Sequence, residues 1–507
     1  MKVNLNEKIN KFCKWEERLS AYRMALTLIG IDQTAGAPSS GADYRDSRAA
    51  LLQGEFRRVL YDDEIFGIIG ELLGEPEGAL IEEACRNDLD EGDLRRMLQL
   101  YHDQLVKERS VPPDEYSAFA RVLDRSKLQW LRAKREEDFK GYAPYLQEVI
   151  DGYRHLTALQ NSSLGIYDRM LDDMQPGWIQ AKYDVFFGHV KERILPLLDE
   201  IKKKETPDRS FIGCGYDAEP QRRVMKQVLE LIGFTPDWGR ISESEHPLTT
   251  CISRGDVRFT TKYRPDDPSA AVLSSVHESG HAWFGHNVDE KYDGTVIARS
   301  ISAGLHESQS RFCENHLGRS RAFWDVIYPL IRKEFPEKLS GIDTDTFYKG
   351  INAVRPSLIR TKSDEVTYPL HILIRYELEK EMMEGDLRVK DLEDAWSDRY
   401  DKYLGIRPSV PSEGVLQDMH WPYAYFGYFP TYALGSAMAA QFFNAATKDL
   451  EPEKLIREGR YTEIMIWLRD HVHRYAGRYE ADEILKLATG ETFNDEYYFR
   501  WLENKYR

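Results

Sequence analysis

At 507 residues the chain is long for one core, so it forms either several domains or one large multi-lobed body. Its 42% hydrophobic and 30% charged content is that of a soluble globular protein. A formal net charge of −16 argues against nucleic acid as the main partner, because binding phosphate needs a basic face.

The N-terminal stretch MKVNLNEKINKFCKWEERLS lacks an apolar h-region and does not read as a signal peptide. From there the chain reads as helix after helix. INKFCKWEERLSAYRMALTLIG, YSAFARVLDRSKLQWLRAKREEDF and YLQEVIDGYRHLTALQ space apolar residues three and four apart, with charges between them. Glycine and proline mark joints at 213–215, 233–236 and 405–411. There is no repeat and no low-complexity linker, so one helical body with internal lobes is expected. Cys13, Cys85, Cys214, Cys251 and Cys313 are scattered without a CxxC pair, which predicts no disulfide framework and a reducing, cytoplasmic location. No run of 18 apolar residues occurs, and the nearest candidate, YALGSAMAAQFFNAA, is too short to span a membrane.

One region breaks the helical pattern. LTTCISRGDVRFTTKY, residues 248–263, alternates β-branched and aromatic residues around an RGD turn and predicts a hairpin or small sheet. In a strand Asp256, Arg258 and Thr260 share one face, and Val257 and Phe259 the other. The polar face is then either solvent-exposed or directed at a cleft.

Next comes SSVHESGHAWFGHN, residues 274–287. Asp267-Pro268 predicts a helix start and Gly285 its stop. On that helix His277 and His281, four apart, project from one face, and Glu278 sits one residue round. This is the HExxH device. Two neutral imidazoles bind zinc, one coordination position stays open for water, and a carboxylate beside that water takes its proton.

A catalytic zinc needs a third protein ligand. His286 is the tempting choice, but the HExxHxxGxxH spacing would put glycine at 284 and histidine at 287, where Phe284 and Asn287 stand. A supporting, cleft-lining or surface role is expected for His286. The alternative is a carboxylate from the next helix, ISAGLHESQSRFCENHLG, residues 301–318, folded back by a turn near residues 289–294. Glu307 and Glu314 compete there. Both also read as solvated helix charges, with Glu307 paired to Arg311, and spacing alone leaves the choice open.

HESGH followed by GLHESQSRFCENHLGRSRAFW resembles the thermostable carboxypeptidase (carboxypeptidase Taq) family of zinc metallopeptidases. DVRFT resembles that family's DxRxT element, HESQ its HES/GQ element, IRTKSD its I/VRxxAD element and GVLQDMHW its GxxQDxHW element. The matching blocks run in family order from about residue 246 to 441, and the N-terminal half fits only by its helical character.

The resemblance implies a mainly α fold: a large helical body with a long active-site cleft and a small β-sheet beside the metal, as one peptidase domain over residues 1–507. It makes His277, His281 and Glu307 the metal ligands and Glu278 the general base and acid. It implies one zinc per chain, with cobalt also compatible with imidazole and carboxylate donors. The expected activity is release of single residues from peptide C-termini, in a homodimer, with neither nucleic acid nor membrane as partner. A different cleavage register, dipeptide-releasing or endopeptidase, and an inactive metal-binding scaffold are the alternatives.

A group that holds the substrate carboxylate is then required. Arg360 is the expected residue and Arg355 the second choice, since a planar guanidinium binds a carboxylate bidentately; the competing expectation is a structural pair between Arg360 and Asp364. Tyr428, or else His420, is expected to donate to the developing oxyanion, against simple core packing of GYFPTYALG. His306 and Gln309 are expected to orient the ligands. Asp256 and Arg258, with Thr260, are expected to support the cleft through scaffold hydrogen bonds. The chain departs from the family at Phe284-Gly285-His286 and at Pro422-Tyr423-Ala424-Tyr425, which bears on substrate preference.

Overall fold

In the computed structural model, the described residues are 2–80, 89–160, 162–213 and 215–507. Cys85 and Cys214 lie outside them.

The expected helices form where the apolar spacing places them, as Lys2–Ala35, Pro113–Glu136 and Phe139–Leu159. The last two are separated by one tight corner. Glu137 ends the first helix in the left-handed region, at φ 55°, and the Asp138 side chain accepts the Gly141 N–H at 2.8 Å to start the next. Among the described residues no helix is long and apolar enough to cross a membrane.

Among the described residues the buried apolar side chains form two cores. A small one gathers Phe12, Trp15, Ile69 and Leu98 from the N-terminal helices around Tyr292, Val296 and Ile297. A large one holds most of the apolar residues around the HExxH helix, among them Val276, Phe284, Leu305 and Phe312. Asp93 ties the N-terminal helices to residues 291–292 and to Arg478. Fully buried, it takes hydrogen bonds from Tyr292 Oη at 2.7 Å, Lys291 Nζ at 2.6 Å and Arg478 Nε at 2.7 Å.

The hairpin forms as β2 (Thr249–Ser253) and β3 (Asp256–Thr261), antiparallel and turning at Arg254-Gly255. A third strand, β1 (Gly239–Glu243), was not foreseen; it pairs parallel with β3 to give the order β1-β3-β2. Val257 and Phe259 point into the core, Phe259 against the Phe234 ring at 4.6 Å. The opposite face is not wholly solvent-exposed, because Thr260 is buried and its hydroxyl meets Ser244 Oγ at 2.6 Å and the Leu248 N–H at 3.1 Å.

Among the described residues Cys251 and Cys313 are free thiols.

Candidate metal centre

The HExxH helix spans Ala270–Asn287. It starts later than expected. Asp267 accepts from the Ser269 N–H at 2.8 Å and Ser269 Oγ at 2.6 Å, which makes a turn before the helix and not its cap. It also ends later, because Gly285 is no stop. A Cβ at Gly285 would lie 2.7 Å from Cys251 Sγ, so the glycine lets β2 press against the helix. His286 therefore rides the last turn, where its Nδ1 donates to the Arg254 carbonyl at 2.7 Å and its ring stacks on Trp238 at 4.0 Å. It pins the hairpin turn.

The helix delivers His277 and His281 to Glu307, on the helix Ala303–Arg311. Glu307 Oε2 lies 3.9 Å from His277 Nε2 and 3.6 Å from His281 Nε2, and one ligand atom from each residue falls within 4.8 Å of the others. Two close approaches make this possible. A Cβ on Gly280 would sit 2.3 Å from the Gln309 carbonyl oxygen, so only glycine lets the two helices cross here. A Cβ on Gly435, on the helix Phe429–Asp449, would sit 2.9 Å from Glu307 Cβ and Cγ. Glu307 is thus wedged between two backbones. Its Oε1 accepts from Arg311 Nε at 2.7 Å and its Oε2 from Ser310 Oγ at 3.2 Å. The Arg311 pairing exists together with the histidine cluster, not in place of it. Burial pushes the Glu307 carboxyl up, but the charges of Arg311, His277 and His281 hold it well below the usual carboxylate range.

Glu314 takes a place of its own. Its Oε2 accepts from His277 Nδ1 at 2.9 Å and from Arg311 Nη1 at 3.1 Å, and its Oε1 from Arg319 Nη2 at 2.8 Å. The chain around it widens from α to π geometry over Phe312–Gly318, where the Arg319 N–H reaches the Glu314 carbonyl five residues back, at 2.8 Å. A carboxylate on Nδ1 fixes the tautomer that leaves Nε2 free to ligate. Two imidazoles and one carboxylate, with such a partner behind them, are a donor set that fits a divalent metal.

Glu278 is 7% exposed and stands next to this cluster. Thr249 Oγ1, on β2, lies 2.5 Å from Glu278 Oε2 and 3.1 Å from its carbonyl oxygen. His306 stacks on His281 at 4.5 Å and on Phe284 at 5.5 Å. Burial, then the neighbouring His281, push the His306 imidazole down to about 3. Gln309 bonds to Ser308 Oγ at 2.8 Å and to His473 Nε2 at 2.9 Å. Both back the ligand helices through packing, without a hydrogen bond to a ligand. The hydrogen-bond partners of Asp256 and Arg258 are each other, at 2.8 and 2.7 Å.

Arg360 is 8% exposed. The expected competing pair with Asp364 does not form. Arg360 Nε and Nη2 both reach Asp418 Oδ1, at 3.0 and 2.9 Å, while Arg375 Nε takes Oδ2 at 2.7 Å. Asp364 instead accepts the backbone N–H of Arg355 at 3.0 Å, and Arg355 itself is exposed. The Arg360 guanidinium faces the Tyr432 ring at 5.1 Å. Tyr428 precedes the helix Phe429–Asp449, with its ring 5.2 Å from Tyr432 and 5.7 Å from His420. Burial, then the charge of Glu307, push the Tyr428 hydroxyl up to about 12. His420 Nε2 meets Tyr432 Oη at 3.2 Å, and burial drives its imidazole down to about 3.

The family model for carboxypeptidase Taq (M32) metallopeptidases matches residues 11–506. The chain belongs to this family. It is 35% identical to Carboxypeptidase 1 of Bacillus subtilis, over 100% of this chain and 99% of that one. It is 33% identical to Thermostable carboxypeptidase 1 of Pyrococcus furiosus, over 99% of both. The solved Pyrococcus furiosus carboxypeptidase superposes with a TM-score of 0.93 at 32% identity, and the M32 carboxypeptidase of Deinococcus radiodurans R1 with 0.92 at 30%, each covering 99% of both chains.

Within this M32 chain, three residues near the site escaped the sequence reading. Thr249 carried a faint signal, as a hydroxyl on the strand before the motif. Tyr432 stands four residues after Tyr428, one turn into the helix that Tyr428 precedes, where the two rings meet. The third, Glu379, gave no signal, since it lies in the helical run YELEKEMMEG. The departures fall in two different settings. Phe284 is buried and stacks on His473 at 4.8 Å, whereas Tyr425 is 47% exposed, 6.3 Å from the Tyr428 ring.

Proposed function

We propose that this chain is a metal-dependent carboxypeptidase that releases single amino acids from peptide C-termini, acting as one peptidase domain over residues 1–507. The observation that carries this reading is the convergence of His277, His281 and Glu307, with Glu278 the residue after His277 on the same helix. Zinc suits two imidazoles and a carboxylate, cobalt is the second choice, and one ion per chain is expected. When bound, such an ion lowers the pKa of a water and polarises the scissile carbonyl.

The rest is the work of side chains. Glu278 Oε2, oriented by Thr249, takes the proton of the attacking water and passes it to the leaving amine nitrogen. Arg360 holds the terminal carboxylate. Its orientation is set by Asp418, whose second oxygen Arg375 occupies. Tyr428 donates a hydrogen bond from its hydroxyl to the carbonyl oxygen as charge develops, with its pKa high enough to keep the proton on the phenol at neutral pH. A homodimer in the cytoplasm completes the reading, and sedimentation of the purified protein tests the first half of that statement.

Glu278→Gln tests the chemistry. The variant keeps its metal and loses hydrolysis by about 10²–10⁴-fold, the usual contribution of a positioned general base. Metal-loaded Glu278→Gln that turns over peptides at the wild-type rate sinks the reading.

A further inference from the structure

Glu379 is a fully buried carboxylate to which none of the steps above assigns a task. It projects from the helix Tyr368–Glu384 into the loop that joins the GxxQDxHW block to the helix Phe429–Asp449. Its Oε2 accepts the Trp421 indole N–H at 2.7 Å, and its Oε1 accepts the backbone N–H of Gly427. One side chain therefore ties both ends of the segment 421–427. His420 lies just before that segment and Tyr428 just after it.

Gly427 cannot drift. It sits at φ +77°, and a Cβ there would be 2.4 Å from the Met170 carbonyl oxygen. The loop is threaded between Glu379 on one side and the helix Ile166–Met174 on the other. A carboxylate is the group this arrangement needs, because it offers an acceptor at both oxygens, whereas an amide of the same shape would turn a donor toward one of the two N–H groups. The donors are all neutral. Burial pushes the Glu379 carboxyl up to about 7, and the bonds from Gly427 and Trp421 act against that rise.

We propose that Glu379 is a positioning residue for the reaction, holding Tyr428 at its place against Tyr432 and His420 by tying Trp421 to Gly427. This rests on Tyr428 acting as the oxyanion donor, and the experiment separates the two ideas. A double-mutant cycle is built from Tyr428→Phe, Glu379→Gln and both together, in the full metal-loaded chain. Metal content and melting temperature are measured for each.

Tyr428→Phe is expected to lower kcat about 10²-fold, as removal of one oxyanion donor does. Glu379→Gln is expected to lower kcat about tenfold or more with KM unchanged, since a donor displaced by a fraction of an ångström fails in the transition state and not in binding. In the Tyr428→Phe background, Glu379→Gln costs nothing further. If Glu379→Gln does not fold, Trp421→Phe repeats the cycle, with a smaller loss in the same direction. Additive losses overturn the proposal while leaving Tyr428 its role. Full kcat in folded Glu379→Gln does the same. A Tyr428→Phe enzyme with wild-type kcat overturns both ideas.

Discussion

Glu314 Oε2 accepts a hydrogen bond from His277 Nδ1 at 2.9 Å, on the side of the ring away from Glu307. The two glutamates that compete as third ligand on sequence grounds thus divide the work, Glu307 in front and Glu314 behind. Burial and then the carboxylates of Glu307 and Glu314 act on His277 in opposite directions, and the carboxylates prevail.

Glu314→Gln should weaken metal binding about 10–100-fold, the usual effect of losing an outer carboxylate on a ligating histidine. Chelator competition with zinc gives the affinity. An unchanged affinity would mean that the His277 tautomer is set elsewhere.

Gly280→Ala should damage fold and site together. The new Cβ would lie 2.3 Å from the Gln309 carbonyl, and that oxygen belongs to backbone which cannot swing aside. A loss of about 1–3 kcal/mol in urea unfolding is expected. Metal affinity falls with it, because the same displacement carries His277 and His281 away from Glu307. Wild-type stability in this variant would contradict the close crossing.

Arg360→Gln should reduce kcat/KM on peptides with a free C-terminus about tenfold or more, by loss of a charge-assisted hydrogen bond. Cleavage of C-terminally amidated peptides should already be poor in the wild-type enzyme and change little. Equal cleavage of free and amidated peptides by the wild type removes Arg360 from the substrate.

Asp93→Asn should cost about 3–5 kcal/mol, because it strips a buried partner from Lys291 and Arg478. Burial pushes the Asp93 carboxyl up, but Lys291 and Tyr292 hold it below its usual range. With the folded value depressed, this stability is fully present above the unfolded value of about 4 and is lost as pH falls through the folded value. The gap between wild type and variant in thermal melts should therefore be widest near neutrality and close in acid. A gap independent of pH would show that charge is not what Asp93 contributes.

Some of this protein is local information. Apolar residues three and four apart are enough for the long helices, because a helix repeats every 3.6 residues wherever it sits. The alternation around Arg254-Gly255 is enough for the hairpin, and four-residue spacing is enough to put His277 and His281 on one side. The rest depends on meetings between distant segments. Whether Gly285 ends a helix or admits a neighbouring strand depends on Cys251, 34 positions away, and no local signal separates the two. The pairing of Arg360 with Asp418 and not Asp364 spans 58 residues, and β1 joins a sheet only because the chain returns beside β3. The choice between Glu307 and Glu314 is of the same kind. Both lie on one helical run, so spacing treats them alike, and it is the crossing at Gly280, with Gly435 pressed from behind, that turns Glu307 to the histidines and leaves Glu314 to hold one of them.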